Sequence, residues 1–311
     1  MTLAWPDIPY EPWRATCSAL HLYTQILGKY RLARSPWINH SWHATLYVTA
    51  RGLTTSLVED ASGGIEIQLD LLDHAVLGAG SDGKTARFEL APMSVAEFHG
   101  HFLEMLRKLG ATVEFHGRPN EVPDPIPFID DKAERPYDAE AVTRFFHACL
   151  ATERVLQRFR SSFLGKVSPV HLFWGSFDLA VTRFSGRPAP LHPGGIPALP
   201  DEVTREAYSH EVSSAGFWPG NDSLEFPAFY SYAYPSPPGF AEARIEPEAA
   251  YFDEDLGEFL LPYDAVRRAE DPEEMLLAFL GSTYRAAADL GGWDRPALEC
   301  APGVPLRPRA L

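Results

Sequence analysis

Apolar and polar positions are most sharply patterned between residues 168 and 187, SPVHLFWGSFDLAVTRFSGR, where an aromatic-rich run alternates into a strand. A shorter version of this stretch occurs earlier in the chain. Ser35-Pro36 matches Ser168-Pro169, and at the same spacing Leu46 meets Leu179, Val48 meets Val181 and Thr49 meets Thr182. Each copy follows an apolar stripe in three- and four-residue steps, which places the side chains on one helix face. The first stripe is Trp13, Cys17, Leu20, Tyr23, Ile26, Leu27 and Tyr30; the second is Val142, Phe145, Phe146, Cys149, Val155, Leu156 and Phe159. Each copy is followed by a similar ending, FELAP before a helix over 94–109 and FLLP before a helix over 272–290. Agreement in order and spacing, beyond the identities, favours duplication over a chance likeness of two helix–strand units. The predicted fold class is α+β. It has two similar halves, 1–130 and 131–311, packed as one unit with a cleft between their sheets. Each half is a long helix, an antiparallel meander and a closing helix.

Taken in order, a helix runs from Glu11-Pro12 to about Arg31, since proline is tolerated in a first turn. Residues 40–50 alternate as a strand, with Trp42, Ala44, Leu46 and Val48 on one face and His43, Thr45, Tyr47 and Thr49 on the other. Short strands follow at 54–57, 65–71, 73–77 and 86–90, with a turn at Gly63-Gly64. Their connections are too short for crossover helices, so they form an antiparallel meander. Ser94 with Glu97 three residues on is a capping box, and Gly110 suits a left-handed helix end. A brief strand at 113–115 leads into RPNEVPDPIPFIDDKAERPYD, whose prolines exclude a helix or a central strand. The boundary between the halves falls here, near Asp130. A second long helix spans 138–164 with Asp138 as its cap. Strands follow at 170–174, 177–184, 208–214, 228–234 and 258–261. The proline- and glycine-rich stretch SGRPAPLHPGGIPALPDEV is long enough to be a binding loop or lid.

Composition narrows the function classes. The chain has 311 residues, 45% of them hydrophobic, enough for a substantial core. Its net charge is −15 and its Lys and Arg residues are scattered singly, which argues against a nucleic-acid partner. The three cysteines, Cys17, Cys149 and Cys300, are far apart and form no CxxC, against a disulfide framework or a thiolate zinc site. The N-terminal MTLAWPDIPYEPW has no basic start followed by an apolar run, and no stretch approaches a membrane span. The expected location is therefore cytoplasmic, with no membrane partner.

Candidate chemistry collects on the strand face that the half's own helix does not cover, which carries His43 and Asp178. Asp178 lies amid Phe177, Leu179 and Phe184, where desolvation would raise its pKa; its structural alternative is an ion pair with Arg183 or Arg187. His171, His192 and His210 are further proton-transfer candidates, and His171 reads equally as a hydrogen-bonded core histidine. Those three histidines with Asp178, His40 or His43 would also make an acceptable zinc or iron set, but no HxH or HExxH spacing supports it. No cofactor is predicted beyond that metal alternative. There is no GxSxG, GxGxxG or GxxxxGK[ST], and Ser176 in WGSFD resembles a nucleophile elbow only loosely. Aromatic residues are the more concrete signal. Tyr230, Tyr232 and Tyr234 share a strand face, with Trp174, Phe217, Trp218 and Phe229 nearby. Packed core explains some of these; a wall for a flat organic ligand is the functional reading.

The blocks SPVHLFWGSFDLAVTRFSGR, HPGG, YSHEVSSAGFWPG and AFYSYAYP, with EVPDPIPF and GEFLLPYDAVR, resemble those of a mainly bacterial family of unknown function, domain of unknown function 5996. The resemblance covers nearly the whole chain. It implies one full-length cytoplasmic unit and brings no activity, cofactor or catalytic residue. The residues themselves support a small-molecule enzyme using Asp178, His171, His192 and His210 for acid/base chemistry. Arg183 or Arg187 would anchor an anion. Trp174, Trp218, Tyr230 and Tyr232 would form the walls, with His43 on the same face. The alternatives are a non-catalytic ligand-binding or interaction protein and a His-ligated metalloenzyme.

Overall fold

The computed structural model describes residues 5–309 except Ser62. Helix α1, Tyr10–Leu32, carries the predicted apolar stripe and buries it almost continuously from Trp13 to Tyr30. A 3-10 turn, Asn39–Ser41, precedes a meander of β1 (Tyr47–Val48), β2 (Gly52–Asp60), β3 (Gly63–Asp70), β4 (Ala75–Gly80) and β5 (Thr85–Glu89). These five strands pair antiparallel in sequence order. Helix α2, Val95–Leu109, closes the meander with the full Ser94–Glu97 capping box and ends on Gly110 at φ 76°. Each such cap stabilises a helix by about 1 kcal/mol.

Helix α3, Ala139–Arg160, starts on the Asp138 cap, whose side chain accepts from the Ala141 amide. The second sheet is built from β6 (His171–Phe173), β7 (Asp178–Pro188), β8 (His210–Trp218), β9 (Ala228–Tyr234), β10 (Tyr251–Asp253) and β11 (Glu258–Pro262). Its antiparallel order is β10-β11-β9-β8-β7-β6. A short helix α4, Asp201–Ala207, interrupts the long loop between β7 and β8. Helices α5 (Tyr263–Arg267), α6 (Pro272–Leu290) and α7 (Arg295–Leu298) complete the described chain. The protein is thus α+β, with two antiparallel sheets and seven helices among the described residues.

The predicted strand over 40–50 is the main correction. Residues 40–44 form turns and only Tyr47–Val48 of this run pair within the first sheet. His40 and Ser41 have left-handed backbones, φ 61° and 55°, which break the extended run that the alternation implied. Residues 113–115 form no strand, and α3 stops at Arg160 rather than 164. The residual extended character at Leu46 is used differently. Its amide donates to Leu172 and its carbonyl accepts from the same residue, at 3.0 and 2.8 Å, so the edge of the first sheet meets the edge of the second. One continuous buried cluster runs from Ile8 on the approach to α1 through both sheets to Trp293 after α6. No helix among the described residues is long and apolar enough to cross a membrane.

Candidate functional site

Strand alternation gives the second sheet two faces. Leu179, Val181 and Arg183 on β7, Ala215 and Phe217 on β8, and Phe229 on β9 share one parity with the registers Leu179–Phe217 and Phe217–Phe229. Asp178 on β7, Ser214 and Trp218 on β8, Tyr230, Tyr232 and Tyr234 on β9, and Glu258 on β11 take the other. All of these latter residues line a cavity of about 890 Å³. Its far wall comes from Lys29 and Leu32 of α1, the turn 37–45, the linker residues 116–121 and the loop carrying His192 with α4. Residues from α1 and the linker as well as from the second sheet therefore line it, while β2–β5 contribute none of the lining.

Asp178 is buried and accepts from the Ser176 hydroxyl at 2.5 Å and from the Tyr230 phenol. Burial raises its pKa to about 6, against the lowering by those two donors. The phenol reaches Asp178 because residue 216 is glycine. Gly216 is directly opposite Tyr230 in the ladder, and a Cβ there would stand 2.6 Å from the Tyr230 hydroxyl and 2.5 Å from the Leu179 carbonyl. Tyr230 thus crosses strand β8 over a gap that any other side chain would fill.

Two more carboxyls share the cavity. Glu121, at φ 57° in the linker, lays its carboxylate against Gly175, where a Cβ would collide with it. Its amide donates to the Pro197 carbonyl at 3.0 Å, tying the linker to the loop before α4. Burial, and then the charge of Asp178, raise its pKa to about 7. Glu258 opens β11 on the cavity face, and its Oε2 is buried without a hydrogen-bond partner. Burial and the Asp178 charge raise its pKa to about 8. Lys29 is the buried cation of this wall. Its ammonium donates to Asn120 Oδ1, lies 5.5 Å from the Trp174 ring centre and is lowered by burial to about 8. Among the described residues no ion pair joins Lys29 to any of the three carboxyls.

The aromatic walls are ordered by their polar tips. Tyr208 and Tyr232 share a hydrogen bond of 2.7 Å, and Tyr230 stacks on Tyr232 at 6.1 Å and 16°. Trp218 packs on Tyr230 at 4.7 Å, with its indole N–H buried and unpartnered. Trp174 donates to the Ala44 carbonyl at 2.7 Å. His192 stacks on Tyr208 at 4.8 Å, lies 4.8 Å from Tyr234, and is lowered in pKa chiefly by burial. Of the nine non-glycine residues with left-handed backbones among the described residues, four (His40, Ser41, Glu121 and Ala198) line the cavity, and Phe177 separates Ser176 from Asp178. Backbone strain concentrated in this way marks sites where geometry is held against local preference.

Of the residues singled out in the sequence, Asp178, His192, Trp174, Trp218, Tyr230 and Tyr232 come together in the cavity, with Tyr234, Ser176 and His40. The others do not line it. Arg183 points to the opposite sheet face, where its guanidinium donates to Phe159 O and Ser162 Oγ and sits 4.3 Å from the Tyr284 ring centre. Arg187 pairs with Glu211 at 2.7 Å and donates to the Gly291 and Gly292 carbonyls. An odd separation from Asp178 sends Arg183 to the other face, and Arg187, beyond the β7 irregularity after Phe184, is taken by Glu211, so neither forms the ion pair weighed for Asp178. His171 is wholly buried against Phe173, both ring nitrogens unpartnered, and burial lowers its pKa to about 3. His43 is buried beside Trp37 with Nδ1 against Ile38, and His210 opens β8 beside Ser209. Among the described residues no group of three or more His, Cys, Asp or Glu is placed to hold a metal ion.

Lys29, Glu121, Tyr208 and Glu258 escaped the sequence reading. Lys29 had a signal, as a lysine within the buried run Ile26–Tyr30, and so did Glu258, two residues before Leu260 on a strand. Glu121, in a proline-rich linker, had none. No curated protein and no solved structure matches the chain. The profile of one family does match, over residues 5–300, and the chain belongs to that family of unknown function, DUF5996.

Proposed function

We propose that the cavity is the active site of a small-molecule enzyme working by general acid/base catalysis, with Asp178 as the proton-transfer group. The observation that carries this reading is the setting of Asp178. It is a buried carboxyl facing a ligand-sized cavity, held by two hydroxyl donors and paired with no cation. A carboxyl that only stabilised the fold would be expected to meet an arginine, and both nearby arginines serve other partners. Three carboxyls with pKa values raised toward neutrality supply both protonated and ionised forms near pH 7, which acid/base catalysis requires. In this reading Tyr230 and Ser176 position Asp178, Lys29 and Asn120 orient polar substrate atoms, and His192 closes over the occupant from its loop.

The test is a comparison of wild type with Asp178→Asn in a metabolite extract followed by mass spectrometry. A compound consumed by wild type, and consumed about 10²–10⁴-fold more slowly by the variant, supports the enzyme. A compound retained by both proteins with no product from either replaces it with the ligand-binding alternative.

We also infer that halves 1–130 and 131–311 descend from one duplicated unit. In support, each half carries a long helix, an antiparallel sheet and a later helix, and β6–β9 pair in sequence order as β1–β5 do. On this account the ligand cleft belongs to the junction of the halves, since α1 and the linker face the second sheet there. An experimental structure whose halves superpose only after reordering strands would sink the duplication.

A further inference from the structure

We propose that the occupant of this cavity is a small organic cation, an ammonium-bearing molecule whose charged group lies among Glu258, Asp178 and the rings of Tyr230, Tyr232 and Trp218. The inference rests on the active-site reading of the cavity and adds the chemical class of the ligand. Three features carry it. Glu258 Oε2 is buried on the cavity face without a donor, although a buried carboxylate is strongly disfavoured unless it is hydrogen-bonded or paired. Asp178 takes only neutral hydroxyl donors, so its charge too has no counterion. Around them the aromatic faces are arranged as a wall, with Trp218 on Tyr230 at 4.7 Å and Tyr230 on Tyr232 at 6.1 Å. Ring faces and carboxylates together attract an ammonium group and offer nothing comparable to an anion.

The cations that line the cavity do not fill this gap. Lys29 is engaged by Asn120 and Arg118 donates to the Pro125 carbonyl at 3.0 Å, both on the opposite wall of α1 and linker. Arg183 and Arg187, which would have anchored an anion, lie outside it. A ligand's ammonium group would supply the missing donor to Glu258. It would also favour ionisation of carboxyls that burial holds partly protonated, so binding should release protons to the buffer at neutral pH.

Benzylammonium, benzyl alcohol and benzoate are matched probes of similar size and opposite or no charge. Ligand-observed NMR titrations of the full chain at pH 7 should show benzylammonium binding at least about tenfold more tightly than benzyl alcohol, with benzoate weakest. Calorimetry of benzylammonium in buffers of different ionisation enthalpy should report net proton release. Glu258→Gln, which keeps the shape, should lose about tenfold in affinity for benzylammonium and leave benzyl alcohol unchanged. Tighter binding of benzoate, equal binding of all three, or binding of none overturns the assignment. Its failure is separable from that of the enzyme: turnover of a neutral or anionic compound that depends on Asp178 would keep the acid/base reading and discard the cation. Cation binding without turnover would do the reverse.

Discussion

Adjacent residues on β7, β8 and β9 look in opposite directions and meet opposite surroundings. On the helix side, Leu179, Val181, Phe217 and Phe229 are packed at 1% exposure or less, and the buried Arg183 has its guanidinium against aromatic rings with carbonyl and hydroxyl acceptors. On the cavity side, Asp178, Tyr230 and Glu258 are also withdrawn from water, yet they leave open volume, an unpartnered carboxylate oxygen and strained backbone. Both faces bury charged and aromatic side chains, so burial alone does not separate them. Space and charge do: the helix face is filled and its arginine donates to two acceptors, while the cavity face leaves open volume beside carboxyls with no cation, which is the pattern expected where a ligand supplies the remainder.

That contrast can be broken most forcefully on the packed face. Phe229→Ala should cost about 3–5 kcal/mol in urea denaturation, because the packed helices cannot collapse into the void. A loss below about 1 kcal/mol would mean that this face is looser than its contacts imply. Asp178→Asn should behave in the opposite sense, with a dependence on pH. Well below pH 4, by about pH 3, the carboxyl is neutral in both folded and unfolded chains and has no effect. As pH rises through its folded midpoint near 6, wild type must ionise a buried group, and stability is lost. The variant should therefore gain up to about 3 kcal/mol on wild type between pH 4 and pH 7.5, and a difference independent of pH contradicts a desolvated carboxyl. Gly216→Ala should cost about 1–3 kcal/mol by displacing the Tyr230 phenol, and should shift the Asp178 carboxyl resonance in NMR titration. Last, Trp174→Phe should cost about 1 kcal/mol by leaving the Ala44 carbonyl without its indole donor, read as a small fall in Tm.

The legible parts of the molecule were those governed by local rules. The stripe of α1, the Ser94–Glu97 box, the meander and the shared face of Tyr230, Tyr232 and Tyr234 follow from periodicity and capping, and the structure has each of them. The turn at His40–Ser41 was hidden because its side chains alternate as a strand would, while its left-handed backbone is imposed by tertiary contacts. The His40 amide is held by Glu206 and its ring by the Ala207 carbonyl, both about 166 residues away. Within the cavity, Asp178 stood out as a charge in an apolar strand. Glu121 reaches it through a linker whose path no local pattern encodes. Arg183 drew attention for the same reason as Asp178, and only parity along the strand separates their faces.

Three of the chain's seven tryptophans, Trp37, Trp174 and Trp218, border the cavity, and they differ in how their indoles are engaged. Trp174 is bound to a carbonyl and stands near the Lys29 ammonium, Trp218 has a free indole N–H, and Trp37 is half in solvent. Ultraviolet emission from this protein is therefore a native optical gauge of its cavity. An arriving cation should quench or shift the Trp218 component before it disturbs the other two, so occupancy can be followed in unlabelled protein during the search for its natural ligand.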